Sequence, residues 1–324
     1  MNQTQAPVRR ASFSVRGLAE VGCVLLCAAT LAGFLARLWW VFELAAHFRL
    51  HLAIGLLALV GIASWLRHWR LVVTGAAFAA VNAGLVLLVL LPVENLKPQP
   101  EIRVRLVSLN VHTENVQTDR VLKFLQEADA DVILLMEVND TWMAALQPLR
   151  TNYGQVIAEP RADNFGIALF SRLSLTNSEV VELGQAGVPS IATTVLRAGR
   201  QFALLGTHPL PPGSADYSRR RNDQLQAIAG WARSCNRPAV VLGDLNCTPW
   251  SPYFTDLIRD SGMKNASPRR GLFGSWPAWC PFGRIPLDHA LVSPTIRVLE
   301  KRLGPPVGSD HLPLLLEVGL PTEG

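Results

Sequence analysis

The sequence predicts an α/β domain in which two packed β-sheets are covered by helices, with a membrane-spanning region before it. Two observations support this prediction. Three long apolar runs lie before residue 92, and after residue 100 short apolar segments of strand length interleave with helical patterns. Few of these strands alternate cleanly between apolar and polar residues, which is typical of strands covered on both faces. Helices are therefore expected on the outer faces of the two sheets.

The N-terminal region, residues 1–91, is expected to anchor the chain in a lipid bilayer through three helices, at about residues 21–42, 50–66 and 71–91. A helix needs about 20 apolar residues to span the hydrocarbon core. A buried helical bundle is the alternative, but three nearly continuous apolar runs exceed what an amphipathic bundle uses. Aromatic rings, which prefer the headgroup level, stand at the ends of these runs: Trp39, Trp40, Trp65 and Trp69.

Positive charges in the short loops predict the orientation of this anchor. Arg9, Arg10 and Arg16 precede the first span, and Arg67 and Arg70 lie between the second and the third. Short loops rich in Lys and Arg stay in the cytoplasm. Three spans then place the rest of the chain on the opposite side. We therefore expect an integral protein of a bacterial inner (cell) membrane with its large domain on the non-cytoplasmic side.

The net charge of the chain, +5 over 324 residues, resides in the predicted anchor. Residues 1–100 hold 8 Lys and Arg against 3 Asp and Glu, which leaves 22 of each for residues 101–324. A domain that binds DNA through its overall field would be basic. The domain lacks that footprint, and we interpret its local basic runs, Arg219–Arg221 and Arg269–Arg270, as solvated surface.

The five cysteines match no zinc-binding spacing. Cys23 and Cys27 lie in the first apolar run, and the other three lie in the domain. If the domain is outside the cytoplasm, one pair among Cys235, Cys247 and Cys280 could be oxidised.

The domain, residues 101–324, follows a linker at residues 92–100 whose prolines oppose helix. Residues 103–109 alternate like a strand, residues 118–128 have helical spacing, and residues 132–136 form a short apolar strand. Further strands are predicted at residues 166–170, 193–196, 202–206, 239–242, 289–292 and 314–318, and a further helix at residues 219–233.

Polar side chains recur where these predicted strands stop. Any one of them would ordinarily be a turn residue, but loops at strand ends can also hold catalytic groups rigidly at a cleft. Oxygen ligands beside imidazoles suggest a hard metal ion acting on a phosphate ester. The residues concerned are Asn110, Glu137, His208, Asp244, Asn246, Asp288, Asp310 and His311.

These motifs, in their order, resemble the endonuclease/exonuclease/phosphatase superfamily, which includes DNase I-like nucleases, abasic-site endonucleases, inositol polyphosphate 5-phosphatases and neutral sphingomyelinases. The resemblance implies a four-layer α/β sandwich of two mixed β-sheets flanked by helices. Relatives often carry a glutamine before the metal-binding glutamate. Here that position is Met136, which cannot make the hydrogen bond that the glutamine side chain could offer. The matching elements are Ser108-Leu109-Asn110, Met136-Glu137, Asn164-Phe165-Gly166-Ile167-Ala168, Gly206-Thr207-His208, Gly243-Asp244-Leu245-Asn246, Leu287-Asp288-His289 and Ser309-Asp310-His311.

The resemblance also implies a divalent cation, Mg²⁺ or alternatively Mn²⁺. Glu137 matches the principal metal ligand of the family, Asn110 would help to hold the metal or the attacking side of the phosphate, and Asp310 is a further candidate ligand. All three offer oxygen, as Mg²⁺ requires. His112 stands two residues past Asn110, where some relatives carry a carboxylate ligand, and its role stays open.

The catalytic residues follow from the same resemblance. His311 and Asp288 resemble the His–Asp pair of the family, in which the carboxylate orients the imidazole. His311 is then either a base toward water or a protonated phosphate contact. Asp244 is the rival base, with Asn246 orienting water or a phosphate oxygen. His208 would donate to a non-bridging oxygen in the transition state.

The sequence therefore predicts a membrane-anchored, divalent-metal-dependent phosphoesterase that hydrolyses a phosphodiester or phosphomonoester by attack of water. Its partners are the lipid bilayer, through the N-terminal helices, and a phosphoester, which is a lipid headgroup, a small phosphoester or nucleic acid. No motif identifies a protein partner. The alternatives are an endonuclease or exonuclease acting on DNA, and a catalytically silent membrane-bound binding module.

Overall fold

A computed structural model describes residues 14–90, 101–266 and 271–321 of the chain. Several features predicted from the sequence lie outside the described residues. They are the linker at residues 92–100, the arginines Arg9 and Arg10, and the basic pair Arg269–Arg270.

The described N-terminal residues form four helices, α1 (Val15–Phe34), α2 (Trp40–Ala46), α3 (Arg49–Trp65) and α4 (Trp69–Leu90). Helices α1 and α4 are each long and apolar enough to cross a membrane, and α2 with α3, bent by 66°, makes a third candidate. The predicted first helix at residues 21–42 is divided, because α1 ends at Phe34 and α2 starts at Trp40 after a turn. These helices are consistent with a membrane anchor.

Two six-stranded mixed sheets form the domain. Strands β1 and β2 run parallel, as do β7 and β8, and all other neighbours are antiparallel. The first sheet has the order β11 (Arg297–Leu303), β12 (Leu314–Pro321), β1 (Glu101–Asn110), β2 (Val132–Met136), β4 (Ile167–Ser171) and β3 (Gln155–Glu159). The second has the order β5 (Ser174–Glu182), β6 (Pro189–Arg197), β7 (Arg200–Thr207), β8 (Ala239–Asp244), β10 (Asp288–Val292) and β9 (Lys264–Asn265).

The two sheets pack face to face and helices cover their outer faces. Leu106 and Leu134 of the first sheet share one buried cluster with Leu204 and Leu242 of the second. Helices α5 (Thr118–Glu127) and α6 (Asp140–Ala145) cover the first sheet, and α7 (Ala215–Ser234) and α8 (Pro252–Ser261) cover the second. The predicted four-layer sandwich of two mixed sheets is confirmed.

Every strand and helix predicted for the domain is present, with its ends shifted by a few residues. The strands that the sequence pattern missed are β3, β5, β9 and β11, and each is an edge strand of its sheet. An edge strand is covered incompletely, so it needs fewer apolar side chains and gives a weaker signal. Strand β5, for example, is mostly exposed along its length.

All five cysteines lie among the described residues and all are free thiols. The open question of an oxidised pair in the domain is thus answered for this structure, since neither Cys235 nor Cys280 is bonded to another cysteine. Cys247 is fully buried, and burial raises the pKa of its thiol to about 12. It is an inert packing group, because the thiolate is the reactive form of cysteine.

Two glycines of the recognised motifs are required by close approach of the backbone. A Cβ atom on Gly243 would lie 1.9 Å from the carbonyl oxygen of Thr207, and the φ of Gly243 is +148°. A Cβ atom on Gly166 would lie 1.8 Å from the carbonyl oxygen of Val138. Since side chains do not tolerate such distances, glycine lets β8 pass against the end of β7 just before Asp244.

We expect Gly243→Ala to destabilise the protein by about 3 kcal/mol, because the new methyl group must push the backbone of Thr207 away. The measurement is the thermal unfolding midpoint of the full chain in detergent. Gly230→Ala is the matched control, since a Cβ atom there meets nothing within 4 Å inside α7, and it should be neutral or stabilising by up to about 1 kcal/mol. Equal midpoints for wild type and Gly243→Ala would contradict the prediction.

Candidate active site

The two parallel strand pairs bring four of the predicted site residues to one edge of the sandwich. Asn110 ends β1, and Glu137 directly follows β2, its parallel neighbour. His208 directly follows β7, and Asp244 ends β8, which runs parallel to β7. Because parallel strands end at the same edge, each pair is set side by side.

Two antiparallel strands bring the remaining residues to the same edge. Asp288 begins β10 and is the registered partner of Asp244. Asp310 and His311 precede β12, whose first residue, Leu314, pairs with Ser108 near the end of β1. The hydroxyl of Ser309 donates to the carbonyl oxygen of Asn110 at 2.6 Å and fixes this loop on β1.

Glu137 is held by donors from the end of β1 and from the loop after it. The amide nitrogen of Asn110 donates to its Oε1 at 2.8 Å, and the backbone N–H of Thr113 donates to its Oε2 at 3.1 Å. Glu137 has a φ of +62°, which is uncommon for a residue with a side chain. Such backbone strain is typical of functional positions, where the surrounding structure holds it in place.

Asp244 is the centre of the site. Its Oδ1 accepts the backbone N–H of Asn246 at 2.9 Å. Its Oδ2 lies 3.5 Å from three nitrogen atoms, Nδ2 of Asn110, Nε2 of His208 and Nε2 of His311. The carboxylate is buried. Its contacts with Asn110 of the first sheet and His208 of the second connect the two sheets.

The imidazole of His311 lies between two carboxylates. Its Nδ1 is 2.8 Å from Oδ2 of Asp288, and its Nε2 faces Asp244. Burial alone would lower the pKa of His311, but the charges of Asp288 and Asp244 outweigh burial and raise it to about 10. The geometry thus holds His311 as an imidazolium that is oriented by Asp288.

Asp244 and His208 respond to the same charges. Burial would raise the pKa of Asp244, but His311 and His208 lower it to about 2, so the carboxylate is ionised. Burial would lower the pKa of His208, but the contact with Asp244 raises it above its ordinary value. The site therefore combines a buried anion with imidazoles that can carry positive charge.

The imidazole of His112 lies close to both Asp310 and Glu137. Nδ1 of His112 is 3.5 Å from Oδ1 of Asp310 and 3.6 Å from Oε2 of Glu137. The indole N–H of Trp276 donates to the other oxygen of Asp310 at 2.9 Å. Both predicted ligand carboxylates thus lie within 3.6 Å of the same ring nitrogen of His112, which flanks the space between them.

The donor atoms around this space fit a hard divalent cation. Oδ1 of Asp310 is buried and has no hydrogen-bond partner, so it has capacity for a ligand. No group of three or more His, Cys, Asp or Glu side chains in the described part of the chain is arranged to hold a metal ion. Mg²⁺ is usually bound by one or two carboxylates together with waters and substrate phosphates, so Glu137 and Asp310 suit it.

Asn110 and Asn246 use their side chains to hold other parts of the site. Asn110 directs its amide nitrogen at Glu137 and its oxygen at the backbone N–H of His112, 3.0 Å away. Asn246 donates from its amide nitrogen to the carbonyl oxygen of Pro209 at 2.9 Å, next to His208. Met136, where relatives carry glutamine, accepts the backbone N–H of Asp244 on its sulfur at 3.2 Å.

His289 packs in the core, directed away from the catalytic groups. Its Nε2 lies 2.8 Å from the carbonyl oxygen of Cys247, and its ring is 4.6 Å from that of Phe254. Burial lowers the pKa of His289 to about 3, so the ring is neutral. This places the side chain in support of the loop after β8.

The interpretation of Arg221 as solvated surface is wrong. Its side chain is fully buried and donates from Nη1 to the carbonyl oxygen of Asn246 at 2.7 Å. Arg219 and Arg220 are exposed and pair with Asp216, as expected for surface. Helical spacing could have found Arg221, because the buried residues Gln224, Leu225 and Ile228 of α7 follow at intervals of three, four and seven.

Other residues support the site through contacts distant in sequence. Trp276 contacts Asp310, and the hydroxyl of Ser275 accepts the backbone N–H of Asp288 at 3.2 Å. Glu43, in helix α2, pairs with Arg221. Glu43 was missed, because no local motif marks it.

Solved structures of known proteins share this fold. The catalytic domain of human Nocturnin with bound sulfate matches with a TM-score of 0.55 and 23% identity, over 68% of this chain and 96% of that one. D. rerio TDP2 complexed with single-strand DNA product matches with a TM-score of 0.55 and 14% identity, over 67% of this chain and 98% of that one. Sphingomyelinase C from Streptomyces griseocarneus matches with a TM-score of 0.51 and 16% identity, over 68% of this chain and 99% of that one. At these identities the likeness shows the fold.

A search of curated proteins found no match. Residues 107–311, more than half of the chain, match the Endonuclease/Exonuclease/phosphatase family. Members of this family hydrolyse phosphoester bonds and generally use divalent metal ions. The matched range contains every predicted site residue from Asn110 to His311. The chain therefore belongs to the endonuclease/exonuclease/phosphatase family.

Proposed function

We propose that the chain is a membrane-anchored phosphoesterase that uses a divalent cation, Mg²⁺ or Mn²⁺, to hydrolyse a phosphoester by attack of water. The observation that carries the proposal is the arrangement around Asp244. Two carboxylates, Glu137 and Asp310, one of which has an oxygen without a hydrogen-bond partner, share one edge of the sandwich with two buried imidazoles, His208 and His311. A silent binding module would not need this complete set of charged groups.

Glu137 and Asp310 would hold the cation, with Asn110 orienting Glu137. When bound, the cation supplies a Lewis acid that polarises the phosphoryl group and offsets developing charge. His208 and His311 would donate hydrogen bonds to non-bridging phosphate oxygens, where negative charge grows in the transition state. Asp288 keeps the ring of His311 in the required orientation.

We assign the base to Asp244 rather than to His311. His311 faces two carboxylates and is held as a cation, so it has no free lone pair for a proton. Asp244 is ionised, and its Oδ1 is fixed by the backbone N–H of Asn246. A bound phosphate would offset the positive charge of both imidazoles, which raises the affinity of Asp244 for the proton of the attacking water.

We expect the full chain in detergent to hydrolyse bis(p-nitrophenyl) phosphate or p-nitrophenyl phosphate when Mg²⁺ or Mn²⁺ is added. Glu137→Ala and His311→Ala should each lower kcat by about 100-fold or more, since they remove a metal ligand and a transition-state donor. Release of p-nitrophenol measures the rate. Glu300→Ala, which removes a carboxylate from the edge strand β11, should leave the rate unchanged. A wild type that hydrolyses neither ester would refute the proposed function.

For the substrate, we propose a phosphoester at the membrane surface, such as a lipid headgroup. The loop at residues 276–284 connects the site to the anchor, because Trp276 contacts Asp310 and the carbonyl oxygen of Phe282 lies 2.9 Å from Nε2 of His51 in α3. The rings of Trp279 and Phe282 are 79% and 95% exposed. Aromatic rings prefer the headgroup level, and the domain has no net charge to attract DNA.

Phospholipid and sphingomyelin vesicles, compared with plasmid nicking, separate this proposal from nuclease activity. We expect phosphate or headgroup release from the vesicles to exceed nicking. Trp279→Ser combined with Phe282→Ser should slow hydrolysis of vesicles about tenfold and leave hydrolysis of the soluble nitrophenyl ester unchanged, because only the vesicle rate depends on membrane contact. Efficient nicking without lipid hydrolysis would instead favour the nuclease.

The domain is proposed to lie on the non-cytoplasmic side of a bacterial inner membrane, with residues 1–91 as the anchor and residues 101–324 as the enzyme. The domain contacts the anchor at His51 and at Leu85, whose carbonyl oxygen accepts the indole N–H of Trp250. At the other ends of α3 and α4, Arg67 lies in the turn that joins the two helices and Arg70 lies in the first turn of α4. That end is the cytoplasmic one by the positive-inside rule.

Protease added to cells whose outer envelope has been opened should degrade the domain while the inner membrane is intact. This result follows if the domain faces outward, where the enzyme can reach it. A cytoplasmic protein of the same cells serves as the control and should survive. Protection of the domain until the inner membrane is ruptured would show the opposite orientation.

A further inference from the structure

A buried ion pair connects the anchor to the loop that carries Asn246. Glu43 in α2 and Arg221 in α7 are both fully buried, and Oε2 of Glu43 lies 2.5 Å from Nη2 of Arg221. These residues are 178 positions apart in the chain. One belongs to the proposed anchor and the other to the proposed enzyme, so the pair exists only when the two parts are joined.

The pair holds both ends of the segment at residues 246–251. Nη1 of Arg221 donates to the carbonyl oxygen of Asn246 at 2.7 Å. The hydroxyl of Ser251 donates to the remaining oxygen of Glu43 at 2.6 Å. Between these points, the hydroxyl oxygen of Thr248 lies 3.0 Å from Nδ1 of His47, and His47 belongs to the anchor. The segment that leaves the active site thus contacts the anchor directly at Thr248 and Ser251, and through Arg221 at Asn246.

Asn246 needs such support. Its φ is +50°, a conformation that costs free energy in a residue with a side chain. Its backbone N–H is the donor to Oδ1 of Asp244. The peptide groups on either side of its Cα atom are therefore hydrogen-bonded to different partners, one to Arg221 and one to the proposed base.

Adhesion alone does not explain a buried ion pair at this place. Removing two charges from water costs more than their attraction commonly returns, and apolar side chains of similar size would hold the surfaces at least as well. Arg37 already joins the anchor to the domain through Asp256 at 2.7 Å, at a partly exposed position. What Arg221 adds, and an apolar residue would not, is a directed donor to the carbonyl oxygen of Asn246.

We propose that Glu43 is a positioning residue of the active site, which acts through Arg221 to fix the peptide of Asn246 and, with it, the carboxylate of Asp244. The anchor then completes the site in addition to tethering it. The catalytic meaning of this inference rests on the proposed function. Glu43 supplies the countercharge without which Arg221 would be an unpaired buried cation.

The test compares Glu43→Gln with the neutral double variant Glu43→Met/Arg221→Met in the full chain in detergent. Bis(p-nitrophenyl) phosphate with Mg²⁺ is the probe, and hydrogen exchange of the peptides that cover residues 244–251 is measured without substrate. We expect Glu43→Gln to lower kcat about 10- to 100-fold, as for other residues that support a site indirectly, with little change in KM, and to speed exchange in this segment.

The double variant separates positioning from folding. It contains no buried charge and should restore the thermal unfolding midpoint toward that of the wild type. It also lacks the donor to Asn246, so kcat should stay low. Arg37→Ala is the control: it removes anchor contacts with Pro252 and Asp256, which lie outside residues 244–251, and should leave kcat and exchange in residues 244–251 unchanged.

The two readouts distinguish failure of this inference from failure of the proposed function. If both Glu43 variants keep the wild-type kcat, the inference is overturned whatever the exchange shows. If the wild type hydrolyses no phosphoester, the proposed function fails, and hydrogen exchange in residues 244–251 alone tests the inference about Glu43. Faster exchange in residues 244–251 of Glu43→Gln then supports the fixing of the segment by the anchor, and unchanged exchange overturns it.

Discussion

The site depends on one buried carboxylate, that of Asp244. An ionised group removed from water must be balanced by nearby donors, or it takes up a proton. Here Asn110 and His311 reach it from β1 and from the loop before β12, both in the first sheet, and His208 reaches it from the end of β7 in the second sheet. The positions of Asp244 and its three partners are therefore interdependent, because displacement of one of them leaves a buried polar or charged group without its partner.

The fold makes this balance achievable by placing the charged groups of the site at strand ends. The sheets bury apolar side chains on both faces, so their positions are fixed by packing. Two parallel pairs then end at one edge, and the glycine before Asp244 lets β8 press against β7. Rigid strands thus set the distances between charged groups on short loops.

The sequence predicted the inner strands and the eight strand-end residues because burial leaves a strong local pattern. It missed the edge strands, whose exposed residues weaken that pattern. It misread Arg221, because three consecutive arginines were interpreted by composition instead of by their phase on a helix. Glu43 lies just past an apolar run and shows its role only through Arg221, 178 positions away. Contacts between distant segments have no signature in one sequence.

The loop at residues 276–284 connects Asp310 of the site to helix α3 of the proposed anchor, and the proposed anchoring has a kinetic consequence. For a phosphoester carried in the same bilayer, encounter becomes lateral diffusion in two dimensions. The effective concentration is then set by the number of substrate molecules per unit area of membrane, as in other tethered systems. Dilution of the suspension would leave such a rate unchanged, whereas dilution of the substrate among other lipids would lower it.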